Sequence, residues 1–328
     1  MLVFLFRRLM WFIITLWVVV TVSFFLMRQV RGGPFDGERV LNEAIERNIK
    51  ARYHLDWPQW KQYLQYVGPF NLDKDGPEFL GGDGSDPFTG ILVGDFGPSF
   101  KYRDFTVNDI IGQSLPISMS LGVIALMWAL LLGLSAGIAS ALWRGSTTDV
   151  VLRLAATTGI ALPNFTVAGF LVIFFVFLFP LLPVAGYGTW QHLILPGFAL
   201  GAPFAAYIAR LTRTGMLEVL SQDYIRTAHA KGLPPRLVLM RHAIKGGILP
   251  VVSYLGPATA GILTGSLVIE RLFAIPGTGS HFVNSALNRD YTLAMGVTIL
   301  YTVLVYGLNT LVDFAYTLLD PRIDLEES

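Results

Sequence analysis

The side chains able to do covalent or metal chemistry are few in this chain and badly spaced for it. His54, His192, His229, His242 and His281 form no His-Glu-x-x-His pair, so the helical zinc-protease arrangement is missing. There is no cysteine, which removes disulfides, thiol chemistry and thiolate metal sites. No Gly-x-x-x-x-Gly-Lys-Ser/Thr run occurs, so the chain carries no phosphate loop for a nucleotide. Ser266 lies in an apolar run without a histidine at comparable depth. The Ser-His of Gly277–His281 (GTGSH) is sequence adjacency, which is not a catalytic dyad. The aspartates Asp73, Asp75, Asp83, Asp86 and Asp95 lack the ligand spacing of an EF-hand and fit a solvated loop. What remains is the chemistry of contact.

The richest stretch for contact is Asp223–Pro250. Between Arg210 and Lys245 the cations are Arg210, Arg213, Arg226, Lys231, Arg236, Arg241 and Lys245, against only Glu218 and Asp223. Such an excess beside apolar runs marks a cytoplasmic loop. Gly232 separates one short helical segment, about 222–231, from another, about 235–245, because Gly readily ends a helix in a left-handed conformation. Pro234 or Pro235 can open the second segment at its first turn. Two short helices around a Gly make a docking surface. A basic helix held on lipid headgroups is the other reading of the same residues.

The elements that hold this loop are membrane spans. The chain has 328 residues, 53% hydrophobic and 14% charged, with mean hydropathy +0.55, the composition of a polytopic membrane protein. A bilayer core takes roughly 20 apolar residues per helix. The uncharged runs are Leu9–Met27, Ile110–Trp143, Leu154–Ala209, Gly246–Ile269 and Tyr291–Val312, and the third breaks around Pro180–Gln191. Six helices are therefore predicted, about 9–29, 114–142, 154–180, 192–210, 246–269 and 291–313. The start, with Arg7-Arg8 before the first run and no small-x-small pattern after it, fits an uncleaved span with its N-terminus inside. Alternation then puts Arg144–Arg153 and Arg210–Lys245 in the cytoplasm, the chargeless Leu181–Gln191 outside, and both termini inside. Residues 31–113 become a large extracytoplasmic loop, helix-compatible over Glu38–Tyr66 and rich in Gly, Pro and Asp over 68–97.

The spans lack ionisable groups well inside them; His192, Glu270, Asp290 and Asp313 sit at boundaries. Ion-coupled carriers place such groups at membrane depth, so the energy for transport is expected from elsewhere. Small-residue pairs recur at Gly133/Gly137, Gly197/Gly201 and Gly261/Gly265, each on one helix face where backbones can approach. The fifth span combines Ser253, Gly256, Pro257, Gly261, Thr264 and Gly265. That mixture of small size, hydroxyls and a helix-breaking Pro suits a solute path, with ordinary packing as the other reading.

Tyr224-Ile225-Arg226-Thr227-Ala228-His229-Ala230-Lys231-Gly232-Leu233, followed by Arg241-His242-Ala243 and Leu249-Pro250, resembles the coupling loop of peptide-class ABC importer permeases, closest to the B-type subunits of the oligopeptide branch. The wider family opens this loop Glu-Ala-Ala with a Gly six residues after the Glu. Here that frame is Arg226-Thr227-Ala228 and Gly232, with Arg for Glu as the peptide class usually has it. The family's Lys-Pro dipeptide is Lys245-Gly246 here. Gly94–Phe100, Glu270-Arg271-Leu272-Phe273, Pro276-Gly277-x-Gly279 and Ala286-x-Asn288-Arg289-Asp290-Tyr291 also resemble the family, while 68–93 looks like an insertion.

The resemblance implies an all-α membrane protein with the type I ABC importer permease fold. Its regions are a first span (1–30), the outer loop region (31–113), a five-helix core (114–313) containing the coupling loop 210–245, and a cytoplasmic tail (314–328). It implies a transport subunit in a bacterial inner membrane that performs no catalysis and binds no cofactor or metal itself. ATP and Mg would sit on two partner ATPases, beside a second, similar permease and an extracytoplasmic peptide-binding protein. Membrane lipid is the remaining partner, and no nucleic acid is expected. Glu270, Pro276, Gly277, Asn288 and Asp290 become candidate contacts for the binding protein. The expected cargo is oligopeptide, with dipeptide, glutathione, nickel chelate or peptide antibiotic as alternatives, and a passive channel as a further one.

Overall fold

The structure, a computed structural model, describes residues 2–29, 54–69, 72, 90–102 and 105–319. Among them the architecture is helical, with one isolated antiparallel bridge between Pro98 and Thr106. The helices are α1 (Leu2–Gln29), α2 (Gln59–Val67), α3 (Val107–Leu142), α4 (Thr147–Ala161), α5 (Asn164–Val172), α6 (Gln191–Leu220), α7 (Asp223–Ala230), α8 (Pro235–Val238), α9 (Ile244–Gly247), α10 (Leu249–Gly265), α11 (Leu267–Leu272), α12 (Thr278–Leu287) and α13 (Tyr291–Leu319). Five helical stretches are long and apolar enough to cross a membrane: Phe6–Gln29, Val107–Leu142, Gln191–Leu220, Leu249–Leu272 and Tyr291–Leu311. In place of the sixth expected span stands a broken helix pair, Thr147–Ala161 with Asn164–Leu178, that is apolar enough only when both are taken together; with this many apolar helices the chain is a multi-pass membrane protein.

That break corrects the single helix expected over 154–180. α4 and α5 (running on as a π turn over Ile173–Leu178) meet at an angle of 109°. Pro163 has no N–H to give and disfavours helical geometry in the residue before it. Leu162 accordingly takes φ −81°, ψ 130°, and the helix restarts at Asn164. The uncharged run hides this because hydropathy is blind to backbone geometry.

The chain divides into two compact units, residues 1–116 with 277–303 and residues 117–276 with 304–328. In the first, α2 covers one end of α1. Phe24 is fully buried among Val20, Tyr66, Met295 and Ile299, and meets the Tyr63 ring edge-on at 5.3 Å. The Arg28 guanidinium lies 3.5 Å over the Phe24 ring and donates from Nε to Gln62 Oε1 at 2.9 Å. Burial pushes the Tyr66 phenol well above its ordinary range, partly offset by the nearby Arg28 charge. This aromatic cover holds residues 59–67 against α1 without covalent staples. A second cluster joins Val107, Ile110 and Ile111 to Leu293 and Val297. The rest of the helix expected over 38–66, and most of the insertion, lie outside the described residues.

In the second unit, α3 and α6 run parallel in near backbone contact. A Cβ added at Gly133 would come within 2.7 Å of Ile208 Cβ, and one at Gly137 within 2.5 Å of Thr212 Cβ. In return, a Cβ at Gly197 would meet Ile124 Cγ2 at 2.6 Å, and Gly201 lies against the Ala125 backbone. Two of the small-residue pairs thus belong to one reciprocal interface, with the same physics as other close membrane crossings. α4 packs on the neighbouring face of α6, where Gly159 meets Ala206. The core beneath holds Leu121, Ala125, Leu200, Ile262, Ile269 and Phe273.

Candidate functional site

The polar loop after α6 folds as two short helices hinged at Gly232. α7 ends where Lys231 and Gly232 donate back to Thr227 O (3.0 Å) and His229 O (2.9 Å) and Leu233 donates to Ala228 O (3.3 Å). Gly232 takes φ +77°, the left-handed region where a side chain is strained. α8 then opens with Pro235 in its first turn and Pro234 extended before it. A π turn over Leu239–Ala243 leads into α9, so Lys245-Gly246 is helical. Gly247 sits against Met216 and its carbonyl against Gly215, a close approach of backbones that a side chain at either position would block.

α7 has two faces. Ile225 and Ala228 are buried with Met216, Val238 and Ala243, and Leu233 packs on the same cluster. Tyr224, Arg226, Thr227, His229, Ala230, Lys231 and Gly232 are exposed. Of the two alanines in the coupling-loop run, Ala228 therefore turns its Cβ to its own chain and only Ala230 is on the outer face. Arg226 Nη1 pairs with Asp223 Oδ1 at 3.3 Å, both side chains mostly exposed, so the pair adds little stability. The outer face is a polar, net basic surface on an internally anchored helix.

One anchoring network has no counterpart in the sequence reading. Asp149 is buried; Ser140 Oγ donates to its Oδ1 at 2.6 Å and Gly145 N to its Oδ2 at 2.9 Å. Arg213 adds a fork, Nε at 2.9 Å and Nη2 at 3.0 Å, and Arg153 stands at 3.5 Å. The fork ties the turn between α3 and α4 to α6, and its planar geometry suits Arg over Lys. The local signal was a Ser-x-x-Asp cap, since Ser146 accepts from Asp149 N. The Arg213 partner, 64 residues away, left no local trace.

The proposed path residues of α10 divide by face. Ser253 and Pro257 are exposed, and Gly261, half-buried, shares their face one further turn on. The Phe204 ring lies 3.2 Å from where a Gly261 Cβ would stand. Gly256 is buried on the other side, which corrects its place in a path wall. The surroundings of Thr264 and Gly265 lie outside the described set. Tyr254, beside Ser253, meets Tyr207 of α6 with ring centroids 4.4 Å apart. The Arg210 guanidinium lies 4.9 Å from the Tyr207 centroid.

Among the candidate contacts for a binding protein, Pro276 and Asn288 are exposed, whereas Glu270, Gly277 and Asp290 are buried. Direct contact of Glu270 or Asp290 with a docked protein is corrected accordingly. Glu270 lies inside the fifth span and accepts from Ser118 and Ser266, both 2.7 Å from Oε1; a carboxylate there turns inward because that is where its donors are. Asp290 caps α13 and gathers the 98–102 segment, accepting from Ser99 Oγ, from Phe100 N at 3.2 Å and from Leu293 N at 3.2 Å. No cluster of three metal-ligating side chains occurs among the described residues.

The comparisons fit this arrangement. A family model described as "Binding-protein-dependent transport system inner membrane component" matches residues 129–325. The oligopeptide transport system permease protein OppB of Escherichia coli K12 is 44% identical over 98% of this chain and 99% of its own length. The dipeptide transport system permease protein DppB of Bacillus subtilis is 42% identical over 95% of each chain. Among solved structures, the MetNI methionine ABC transporter in inward-facing conformations aligns with TM-score 0.55 at 14% identity, covering 64% of this chain and 96% of that one; at that identity the likeness concerns the fold, a type I importer permease. The helices, the loop and these relatives together place the chain in the family of binding-protein-dependent transport system inner membrane components.

Proposed function

We propose that this chain is the permease subunit of an ATP-driven importer of oligopeptides. The observation that carries the reading is α7, a helix fixed from behind by Ile225, Ala228 and Leu233 yet presenting a solvated, net basic face. A headgroup-binding helix would bury its apolar face in lipid, whereas here that face is already used by the chain's own core. The outer face then fits the groove of a cytoplasmic ATPase. Two such ATPases would bind ATP and Mg; this chain, having no phosphate loop, would bind neither. A second, similar permease would complete the path, and a peptide-binding protein would dock on the opposite side, near Pro276 and Asn288. The N-terminus, the C-terminus and α7 would be cytoplasmic in a bacterial inner membrane, and residues 31–113 would lie outside.

Mechanically, ATP-driven approach of the two ATPases would push α7. Only Ser221 and Gln222 separate α7 from α6, so the push would reach α6 directly and turn the core between inward- and outward-open states. The oligopeptide reading follows the 44% relatives; the dipeptide reading stands close behind on the 42% relative. The test is reconstitution of the chain with its genomic partners in vesicles, measuring ATP-dependent uptake of dipeptides against tetra- and pentapeptides. Uptake restricted to dipeptides moves the assignment to the second class, and uptake independent of ATP removes the importer reading.

A further inference from the structure

On α6, Ala206 faces α4, because Gly159 lies against it, and Phe204 and Ile208 face away, toward Gly261 of α10 and Gly133 of α3. Between the α4 and α10 contacts runs a stripe on one side of α6: Pro203, Tyr207, Arg210 and Thr214, at helical spacing over about 16 Å at 1.5 Å per residue. Arg210 and Thr214 are exposed. Arg153, Thr157, Arg210, Arg213 and Thr214 line a cavity of about 540 Å³ with apolar walls from Leu154 and Ile160. The cations around it are not equivalent. Arg213 is satisfied by the Asp149 fork, and Arg153 stands 3.5 Å from the same carboxylate. Arg210 rests on the Tyr207 ring, which in turn rests on Tyr254, and no carboxylate of the described residues is within ion-pair distance of it. Three guanidiniums line the cavity and the one carboxylate beside them, Asp149, is engaged by only Arg213 and Arg153, so the cavity is short of negative charge.

We propose that Arg210, held on the Tyr207–Tyr254 pair, is a binding station for the terminal carboxylate of a peptide passing through the permease. The inference rests on the import reading and adds to it a place and a chemical group. A guanidinium stacked on an aromatic face is pre-organised as a planar fork, and a carboxylate matches that fork with two hydrogen bonds. The peptide's backbone amides can use the Thr214 and Tyr207 hydroxyls, and its side chains the apolar walls. A phospholipid phosphate shares the charge but fits less well, because Tyr207, Tyr254, Ser253 and Thr214 extend the polar surface along the helices where acyl chains would have to lie. The selectivity added is for a free C-terminus over a blocked one, independent of sequence.

The experiment uses the complete complex in vesicles, with one tetrapeptide supplied as free acid and as C-terminal amide. The readout is the acid-to-amide ratio of uptake rates in wild type divided by the same ratio in Arg210→Gln. Any preference of the binding protein is common to both and cancels. Hydrogen bonds to a charged group are worth about tenfold or more, so the double ratio is expected near ten, with Arg210→Lys intermediate. If Arg210→Gln fails to assemble, Arg153→Gln, whose side chain is half exposed, reports the same charge deficit with a smaller expected double ratio of about three. A double ratio of one, with both forms slowed equally or not at all, overturns the station. So does a ratio of one combined with loss of dependence on phosphatidylglycerol in the vesicles, which would make the cavity a lipid site. Wild-type vesicles that take up neither peptide form, while the assembled complex still hydrolyses ATP, would remove the oligopeptide reading itself and the station with it.

Discussion

Gly232 offers a clean test of the coupling loop because its cost can be worked from geometry alone. A Cβ added there meets nothing within 4 Å, so no clash contributes, and the whole penalty of a substitution comes from φ +77°. A residue with a Cβ pays about 1–2 kcal/mol for left-handed geometry, and a β-branched one belongs at the upper end of the 1–3 kcal/mol seen for such strained regions. Asn is tolerated there better than other non-Gly residues. At about 1.4 kcal/mol per tenfold, the seated arrangement of α7 would be disfavoured by up to roughly thirtyfold in Gly232→Ala and a hundredfold in Gly232→Val, and only a few-fold in Gly232→Asn. The assay is ATPase rate in reconstituted complexes with and without loaded binding protein, alongside peptide uptake. Stimulation should fall in the order Gly, Asn, Ala, Val, while Lys231→Ala, altering an exposed charge, should stay within about twofold of wild type. The discriminating variant is Asn: a steric account ranks it with Val by size, a backbone account ranks it near Gly. Equal stimulation in Gly232→Val and wild type would refute the coupling assignment.

Gly137→Leu should block assembly outright, since even its Cβ would stand 2.5 Å from Thr212 Cβ and 2.6 Å from Ala209 O, whereas Gly261→Leu should lose about 1–3 kcal/mol by overpacking against a Phe204 ring that can swing; fluorescence size-exclusion after graded heating separates them. Glu270→Ala removes the carboxylate to which Ser118 and Ser266 both donate and should lower stability by about 1–3 kcal/mol, with Glu270→Gln milder, measured the same way. Cysteines placed at Ser221 and Asn288, both exposed, should label with an impermeant maleimide from opposite sides of the membrane; outside labelling of the Ser221 position in intact cells would reverse the topology.

Much of this molecule is legible in the chain because membranes impose a simple code. Apolar runs locate the spans, Arg and Lys locate the loops, and Gly232 with Pro235 punctuates the loop helices where expected. The failures are those of one-dimensional signals. The run Leu154–Ala209 contains Pro163, whose effect is angular, so the 109° turn was not foreseen. Glu270 sits at a hydropathy boundary, yet the helix carries it into the core because its hydroxyl partners are there. Ala228 could face either way on an eight-residue helix, and only the contacts with Met216 and Ala243 decide it. Asp149 and Arg213 find each other through folding over 64 residues.

The parallel contact of α3 and α6 has a consequence for how such a sequence can drift. Each helix supplies the glycines for one half of the seam and the bulk for the other: 133 and 137 against 208 and 212, then 197 and 201 against 124 and 125. A volume added on one side has no empty space to enter, so it is tolerated only when the facing residue has already shrunk. Substitutions at these positions should therefore arrive as matched pairs across the two helices, and single exchanges should be purged. In a collection of related sequences the seam would show up as correlated size changes between residues about 75 positions apart, a register that could locate the same helix pair where identity is too low to align it.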